Sequence, residues 1–437
     1  MKNKLKRFIL KVRRRVLAPL LRKLDEQDDI IRLVTKENLK NRAILKRQEG
    51  AAINVLFVCH EPALWSSFES IYQAMKNDSG FNPTIVVLPY RHSTMLPIEY
   101  KESKIAEFLQ ERGFPIVKGY DSENQKWKSP ADFHPDYLFF QTPYKMFPSE
   151  WSAKQVSKVA RVCYVPYACN IFGGSVDRIA HPPTFFENVS LVLKEGEIMR
   201  DVFVEKFRQY TWFDQQSVEV TGYPKLDRLH GAAMLPRIAK EKGGENSLQV
   251  LWTPRWRTHE GNCHFFEYKE FFSSYFAKHS ESNFVFRPHP LCFQNFIKTG
   301  EMNEEEVSRM EAEYASKQNL LIDESGSYEE AFLKSDILVS DISSLLLEYF
   351  VTGKPIIYTH KVDSFNDLGQ ELAKGFYWVR NEAELNKTLT TLMSGEDPLR
   401  QIRQELIGSL FSTSREINAG ARVKNVLSEK FASEGTL

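Results

Sequence analysis

Three short stretches in the second half of the chain place cationic or hydroxyl side chains directly after an apolar run. TPRWR (253–257) carries Arg255 and Arg257 on one side of an extended segment. FRPHP (286–290) carries Arg287 and His289 on either side of Pro288, which forces an extended backbone and holds the two side chains apart. SDILVSDISS (335–344) ends in Ser340, Asp341, Ser343 and Ser344, just ahead of an apolar helical run that stops at Gly353. An arginine fork suits phosphate oxygens, and a histidine can donate a hydrogen bond or a proton to a leaving phosphate. The first amides of a helix lack intrahelical partners, so hydroxyls placed there add to a site for anionic oxygens. Each stretch also has a plainer reading: surface arginines around a buried Trp256, a structural loop with a surface histidine, and serines that only cap a helix. Taken together the three describe an anionic ligand bound without a permanent cofactor or a dedicated metal site. A Walker lysine loop and a GxGxxG dinucleotide fingerprint are both absent, which disfavours kinase and dehydrogenase chemistry.

Such side chains need strands to carry them. INVLFVC (53–59) is a short, continuous apolar run of the kind buried on both faces of a parallel sheet. A helix over 67–76 and strands at 83–88, 115–117, 136–141, 160–165, 189–193 and 218–221 continue the series, with another helix at 104–112. The rhythm restarts with strands at 248–253, 283–287, 320–323, 336–340 and 355–359. Strands alternating with helical segments imply βαβ units. The fold expected is α/β, two Rossmann-like domains facing a cleft, behind an N-terminal helical extension. The expected units are 1–50, an acceptor domain over 51–235 and a nucleotide-donor domain over 236–437, with a hydrophilic hinge at 237–247. In an open α/β sheet the ligand sits beyond the carboxyl ends of the strands, where all three stretches fall.

A net charge of +1 conceals an asymmetry: the first 24 residues hold ten Lys or Arg and no acid, so the remainder sums to −9. Leu5, Phe8, Ile9, Val12, Val16, Leu20 and Leu24 recur at helical spacing among those cations. A basic amphipathic helix over 1–24 suits an anionic membrane surface; packing on the body is the plainer reading. The acidic remainder and the lack of a nucleic-acid module argue against nucleic acid. Residues 25–49 read as a second, exposed helix or stalk, and as a self-association element in a homo-oligomer. The five cysteines (Cys59, Cys163, Cys169, Cys263, Cys292) are scattered, as free thiols of a reducing compartment are. No apolar run approaches the roughly 18 residues of a span, and no secretory signal is evident. The expected location is cytoplasmic, peripheral on the inner face of the cell membrane.

In order along 189–426 stand TGYP (221–224), TPRWR, RPHP, SDILVSDISS, Glu348 and KPIIY (354–358). This ordered set resembles the CDP-glycerol glycerophosphotransferase family of teichoic-acid and capsule polymerases, which has a GT-B fold. The resemblance implies a CDP-polyol donor whose phosphates are held by the His-Pro and Ser-Ser elements. It assigns Arg255, Arg257, Arg287, His289, Ser343 and Ser344 to the donor site, with Glu348 where the family usually has Asp; Asp341, at the same strand end as the serines, is a further phosphate-binding candidate. It further implies a transferase that moves glycerol or ribitol phosphate to a lipid-linked glycan. A GT-B glycosyltransferase using a CMP-sugar acid (Kdo or sialic acid) or another nucleotide sugar is the alternative.

The first half departs from that pattern. The family usually shows a His-Gly motif at the cleft; the comparable segment here, CYVPYACNIFGG (163–174), has no histidine. Other candidates for the catalytic base are His60 and Glu61 after the first strand, and His181. Tyr167, with His181, is a candidate on the acceptor side.

Overall fold

The computed structural model describes residues 18–91, 99–173, 181–229, 247–325, 328–359, 364–410 and 418–434, with the side chains of 18–29 and of 215 left aside. Residues 1–17 of the basic segment, and most of the expected hinge, lie outside the described residues.

The apolar runs form two parallel sheets. The first holds β1 (Ile53–Cys59), β2 (Phe81–Val87), β3 (Ile116–Lys118), β4 (Tyr137–Phe140), β5 (Arg161–Tyr164), β6 (Leu191–Lys194) and β7 (Ser217–Val220), in the order β7-β6-β5-β4-β1-β2-β3. The second holds β8 (Gln249–Thr253), β9 (Asn283–Phe286), β10 (Leu320–Ile322), β11 (Ile337–Ser340), β12 (Ile356–Tyr358) and β13 (Phe376–Trp378), in the order β10-β9-β8-β11-β12-β13. Both begin in the middle, grow to one edge, then return and grow to the other. Each therefore has a topological switch point, between β1 and β4 in the first and between β8 and β11 in the second. The α/β, doubly wound expectation is met. Strand β13, at a sheet edge with Tyr377 and Trp378 only half-buried, was not anticipated. Two antiparallel ribbons, Tyr90–Arg91 with Tyr100–Lys101 and Tyr120–Asp121 with Lys126–Trp127, also escaped the sequence reading.

Aromatic packing explains much of the phenylalanine content. Beneath the second sheet Trp252 stacks on Phe265 at 5.4 Å and meets Phe272 and Phe286 at 4.7 and 5.0 Å. Such pairs add about 0.5–1.5 kcal/mol each beyond the area they bury. They hold rigid the strand that ends in TPRWR.

One expectation needs correction. The last residues of the basic segment, 18–24, and the polar stretch after them are not separate helices; a single helix runs Ala18–Glu49. Nor is its far end an exposed stalk. Leu39 and Ala43 are buried. Arg42 Nε and Lys46 Nζ donate to the two oxygens of Asp136 at 3.0 and 2.6 Å, and Asp136 also accepts the Asn54 amide at 2.8 Å. Arg47 donates to the carbonyls of Phe431, Ala432 and Glu434 at the end of the last helix. The cations that made this stretch look solvent-facing are the groups that dock it. Nearer its start, Ile30, Leu33 and Val34 remain exposed.

The last helix, Ala419–Ser433, crosses back to the first sheet, where Val423, Leu427 and Phe431 share a core with Val55, Phe57 and Tyr137. It lies so close to the helix Ser66–Lys76 that a Cβ at Gly420 would collide with the Ser70 backbone. The two halves also share apolar contacts, with Ile171, Tyr223 and Leu226 in one cluster with Leu346, Leu347 and Phe365.

Candidate active site

At the switch point of the second sheet β8 and β11 run side by side, Thr253 opposite Ser340. Their ends are laced: Thr253 Oγ1 donates to Ser340 Oγ at 3.0 Å, and Ser340 Oγ donates to the Thr253 carbonyl at 2.8 Å. Asp341 then turns inward. One oxygen accepts the Arg255 amide at 2.6 Å and the other the His264 amide at 3.0 Å, while the side chain is buried. Burial pushes its carboxyl up to about 7 against the pull of those amides. Its strand-end position made Asp341 a phosphate-binding candidate; here it is buried and pins both ends of the 255–264 loop to β11.

On that pinned loop stand Arg255, Trp256 and Arg257. Arg255 Nε donates to Glu260 Oε2 at 2.6 Å, its Nη2 reaches the same oxygen, and Arg257 Nη1 donates to Glu260 Oε1 at 3.0 Å. The Arg257 guanidinium lies 4.4 Å over the Trp256 ring. The His289 ring stacks on the same indole, 4.8 Å away and 19° from parallel. The Leu291 amide donates to His289 Nδ1 at 3.1 Å. In the neutral ring that bond leaves the proton on Nε2, so Nε2 is the donor. Burial against the indole, then Arg255 and Arg257, hold the imidazole below its ordinary value and so neutral at pH 7. TPRWR and RPHP thus meet on one indole, and the Trp256 backbone carbonyl accepts from Asn295 Nδ2 at 3.0 Å.

Ser343 and Ser344 follow Asp341 directly. Ser343 Oγ accepts the Leu345 amide at 3.2 Å, and Ser344 is the exposed first cap of the helix Leu345–Phe350, with no side-chain cap bond of its own. Arg287 is turned aside: Nη1 pairs with Asp323 and Nη2 donates to the Ser325 carbonyl at 2.6 Å. Glu348 is buried and accepts Lys225 Nζ at 2.7 Å, with Lys225 also 5.1 Å over the Tyr328 ring. That pair joins the turn after β7 to the helix behind the serines.

The first-half candidates sit in other surroundings. His60 is buried between Tyr90 and Phe147, with ring centroids at 4.9 and 5.3 Å. Glu61 accepts the Tyr90 hydroxyl at 2.6 Å. His181 stacks on Phe186 at 5.7 Å. The Tyr167 carbonyl accepts the Tyr223 hydroxyl at 2.9 Å, and its ring meets Tyr144. The segment where the resemblance would place a histidine is tied instead to the second half: Asn366 donates from its amide to the Ile171 carbonyl at 3.0 Å, and Phe172 stacks on Phe365 at 5.2 Å. Among the described residues no group of three or more His, Cys, Asp or Glu side chains gathers as a metal ligand set.

Sequence reasoning therefore brought together Arg255, Arg257, His289 and the Ser343–Ser344 strand end, and missed the groups that hold them. Glu260, three residues past Arg257, could have been read as a partner on spacing alone. Lys225 and Asp323 could not, because their partners lie far away in sequence.

Residues 187–389 match the family described as CDP-Glycerol:Poly(glycerophosphate) glycerophosphotransferase. No curated protein matches. Among solved structures, the wall teichoic acid polymerase TagF is similar at 15% identity and a TM-score of 0.54, over 96% of this chain and 99% of that one. A UDP-GlcNAc 2-epimerase from Neisseria meningitidis bound to UDP-GlcNAc is similar at 13% identity and a TM-score of 0.56, over 87% and 100%. A putative UDP-N-acetylglucosamine 2-epimerase from Listeria monocytogenes gives 12% and 0.56, over 89% and 98%. At these identities the likeness is one of fold.

Proposed function

We propose that this chain, a CDP-glycerol glycerophosphotransferase-like enzyme by its residues 187–389, transfers a polyol phosphate from a CDP-linked donor to a hydroxyl of a membrane-held polymer of the teichoic-acid kind. The observation that carries the reading is the meeting of Arg257 and His289 on Trp256, with Arg255 beside them, at the switch point where the strand leading to Ser343 and Ser344 also ends. One TagF structure was obtained after a soak with CDPG, which supports the choice of donor.

Glu260 occupies the arginine forks, as a carboxylate does where a phosphate would otherwise sit. Donor phosphates take its place, with the serine hydroxyls beside them. The acceptor oxygen bonds to the phosphorus that carries the polyol, the bond from that phosphorus to the bridging oxygen breaks, and CMP leaves. His289 Nε2–H donates to the leaving phosphate, and the acceptor proton passes to a first-half base, for which His60, Glu61 and His181 are the candidates. Catalysis of this kind is mostly positioning and charge stabilisation. The two sheets serve as acceptor and donor domains, with the last helix belonging to the first. Residues 1–24 hold the enzyme on an anionic membrane at the cytoplasmic face, beside its lipid-linked glycan acceptor. No helix among the described residues is long and apolar enough to cross a membrane.

Ligand that binds only the native state raises stability by mass action. CDP and CMP are therefore expected to raise the thermal midpoint more than UDP, GDP or ADP at equal concentration. Equal or greater protection by UDP would move the reading to an ordinary sugar transferase.

A further inference from the structure

The helix Ala18–Glu49 docks by one face only. Leu39 and Ala43 are buried there, and Lys46 reaches Asp136 from the same side. Positions 31, 34, 38, 41 and 45 follow steps of three and four residues, so they form one stripe, roughly a third of a turn away from the docked face. That stripe holds Ile31, Val34, Asn38, Asn41 and Leu45. All five are exposed, Ile31 at 42%, Val34 at 54% and Leu45 at 57%. We propose that the stripe is the seam of a parallel two-stranded coiled coil, formed over residues 18–38 with a second copy of this chain.

The spacing continues toward the start of the helix. With a at 24, 31 and 38 and d at 20, 27 and 34, the heptad positions read Leu20, Leu24, Gln27, Ile31, Val34 and Asn38. A β-branched residue at a favours two strands, and an asparagine at a single a position fixes register and strand number. Ile31 and Asn38 supply both. Parallel copies also bring Lys23, at g, beside Asp28, at the following e of the partner, a pair of opposite sign. Ile30 borders the seam, whereas Leu33, 64% exposed, lies on the far side of the helix.

The helix needs such a partner. Residues 30–34 are exposed all the way round, and Arg32 reaches the body only at 3.9 Å, to Glu187. A helix standing in water gains little stability from its own hydrogen bonds; most comes from burying an apolar face.

Charge and polarity favour a second copy over a lipid surface. Asp25, Glu26, Asp28 and Asp29 stand between the basic segment and Ile31, where an anionic leaflet repels them. The amides of Gln27 and Asn38 cost free energy in hydrocarbon, but each can pair with its own copy across a parallel seam. The arrangement also bears on membrane attachment. Residues 1–17 of both copies start from the same end of the pair, so two sets of cations address one leaflet and the second contact gains from its effective concentration.

The test uses the full chain in lipid-free buffer, with the mass read by light scattering after gel filtration. The wild type is expected at twice the chain mass. Ile31→Asp and Val34→Asp, each alone, are expected at the chain mass with the thermal midpoint of the body unchanged. Leu33→Asp, equally exposed but off the seam, is expected to stay at twice the mass. Val34→Cys, oxidised while folded, is expected to give a disulfide-linked dimer on a non-reducing gel, and Leu33→Cys is not. A monomeric wild type overturns the proposal; if Val34→Asp then also loses liposome binding, the stripe belongs to lipid. Wild-type mass in both seam variants overturns it too, because the copies then pair elsewhere. A dimer in which Val34→Cys fails to link rules out the parallel register.

Discussion

His289 is held by three things at once: an indole face, two neighbouring cations and an amide that fixes its tautomer. This preorganises one N–H toward the space the Arg255 and Arg257 forks also address. Removing it should cost rate and leave the fold intact, because the ring's outer edge is exposed. His289→Ala, and Ser343→Ala combined with Ser344→Ala, are expected to lower turnover by about tenfold or more, the loss of a preorganised donor being worth roughly 10²–10³ at most. The thermal midpoint should move by no more than about 2 °C. Wild-type turnover in these folded variants would remove the assignment. Asp341 has the opposite character, a buried group that acts on backbone alone. Its native carboxyl keeps a proton up to about pH 7, whereas the ordinary value is 3.8. Between those values the native state binds more protons than the unfolded one, so stability falls as pH rises through that window and levels off above it. Asp341→Asn cannot ionise, so its midpoint should be lower throughout yet lose that pH slope. Parallel slopes for wild type and variant between pH 4.5 and 7.5 would show that Asp341 is ionised across the range.

Elements were legible where the apolar runs are long and flanked by turns. The run 53–59 is a strand over the same residues, and the starts of TPRWR, RPHP and SDISS all fall at strand ends as their sequence places them. What escaped was short or non-local. Strand β13 has three residues, and the docking of Ala18–Glu49 depends on Asp136, about ninety positions away. Local charge reads the same whether a cation meets water or a buried carboxylate. Arg287 shows this at the site: its sequence setting is that of a phosphate ligand, and its guanidinium pairs with Asp323. The distinction has a consequence for truncation. Removal of residues 1–24 leaves Arg42 and Lys46 in place, so the fold should survive while binding to anionic liposomes is lost; each cation near such a surface is worth about 1 kcal/mol and is screened by salt. Removal of 1–49 strands a buried Asp136 without either cation, at a cost of about 3–5 kcal/mol, readable as a lower urea midpoint. Liposome flotation of the shorter truncation at the wild-type level would show that the basic segment is not the anchor.

At the scale of the molecule, two doubly wound sheets bring their strand ends to a common cleft, and the halves are tied across it by Lys225–Glu348 and by Phe172 on Phe365. The last helix returns to the first sheet, so the second half is clasped between segments that pack on the first. The same fold carries a UDP-GlcNAc epimerase, so the fold alone does not choose the chemistry. The cations of the cluster suit the diphosphate of the proposed CDP-linked donor. The central claim is therefore one of donor and product. The enzyme should be offered CDP-glycerol, CDP-ribitol, CMP-Kdo and UDP-GlcNAc in turn, each with a lipid-linked glycerol-phosphate acceptor, and the released nucleotide and extended acceptor measured by mass spectrometry. The account predicts CMP release with one polyol phosphate added per CMP from a CDP-polyol, and no turnover of UDP-GlcNAc; transfer of a sugar from CMP-Kdo or UDP-GlcNAc, with both CDP-polyols inert, would contradict it.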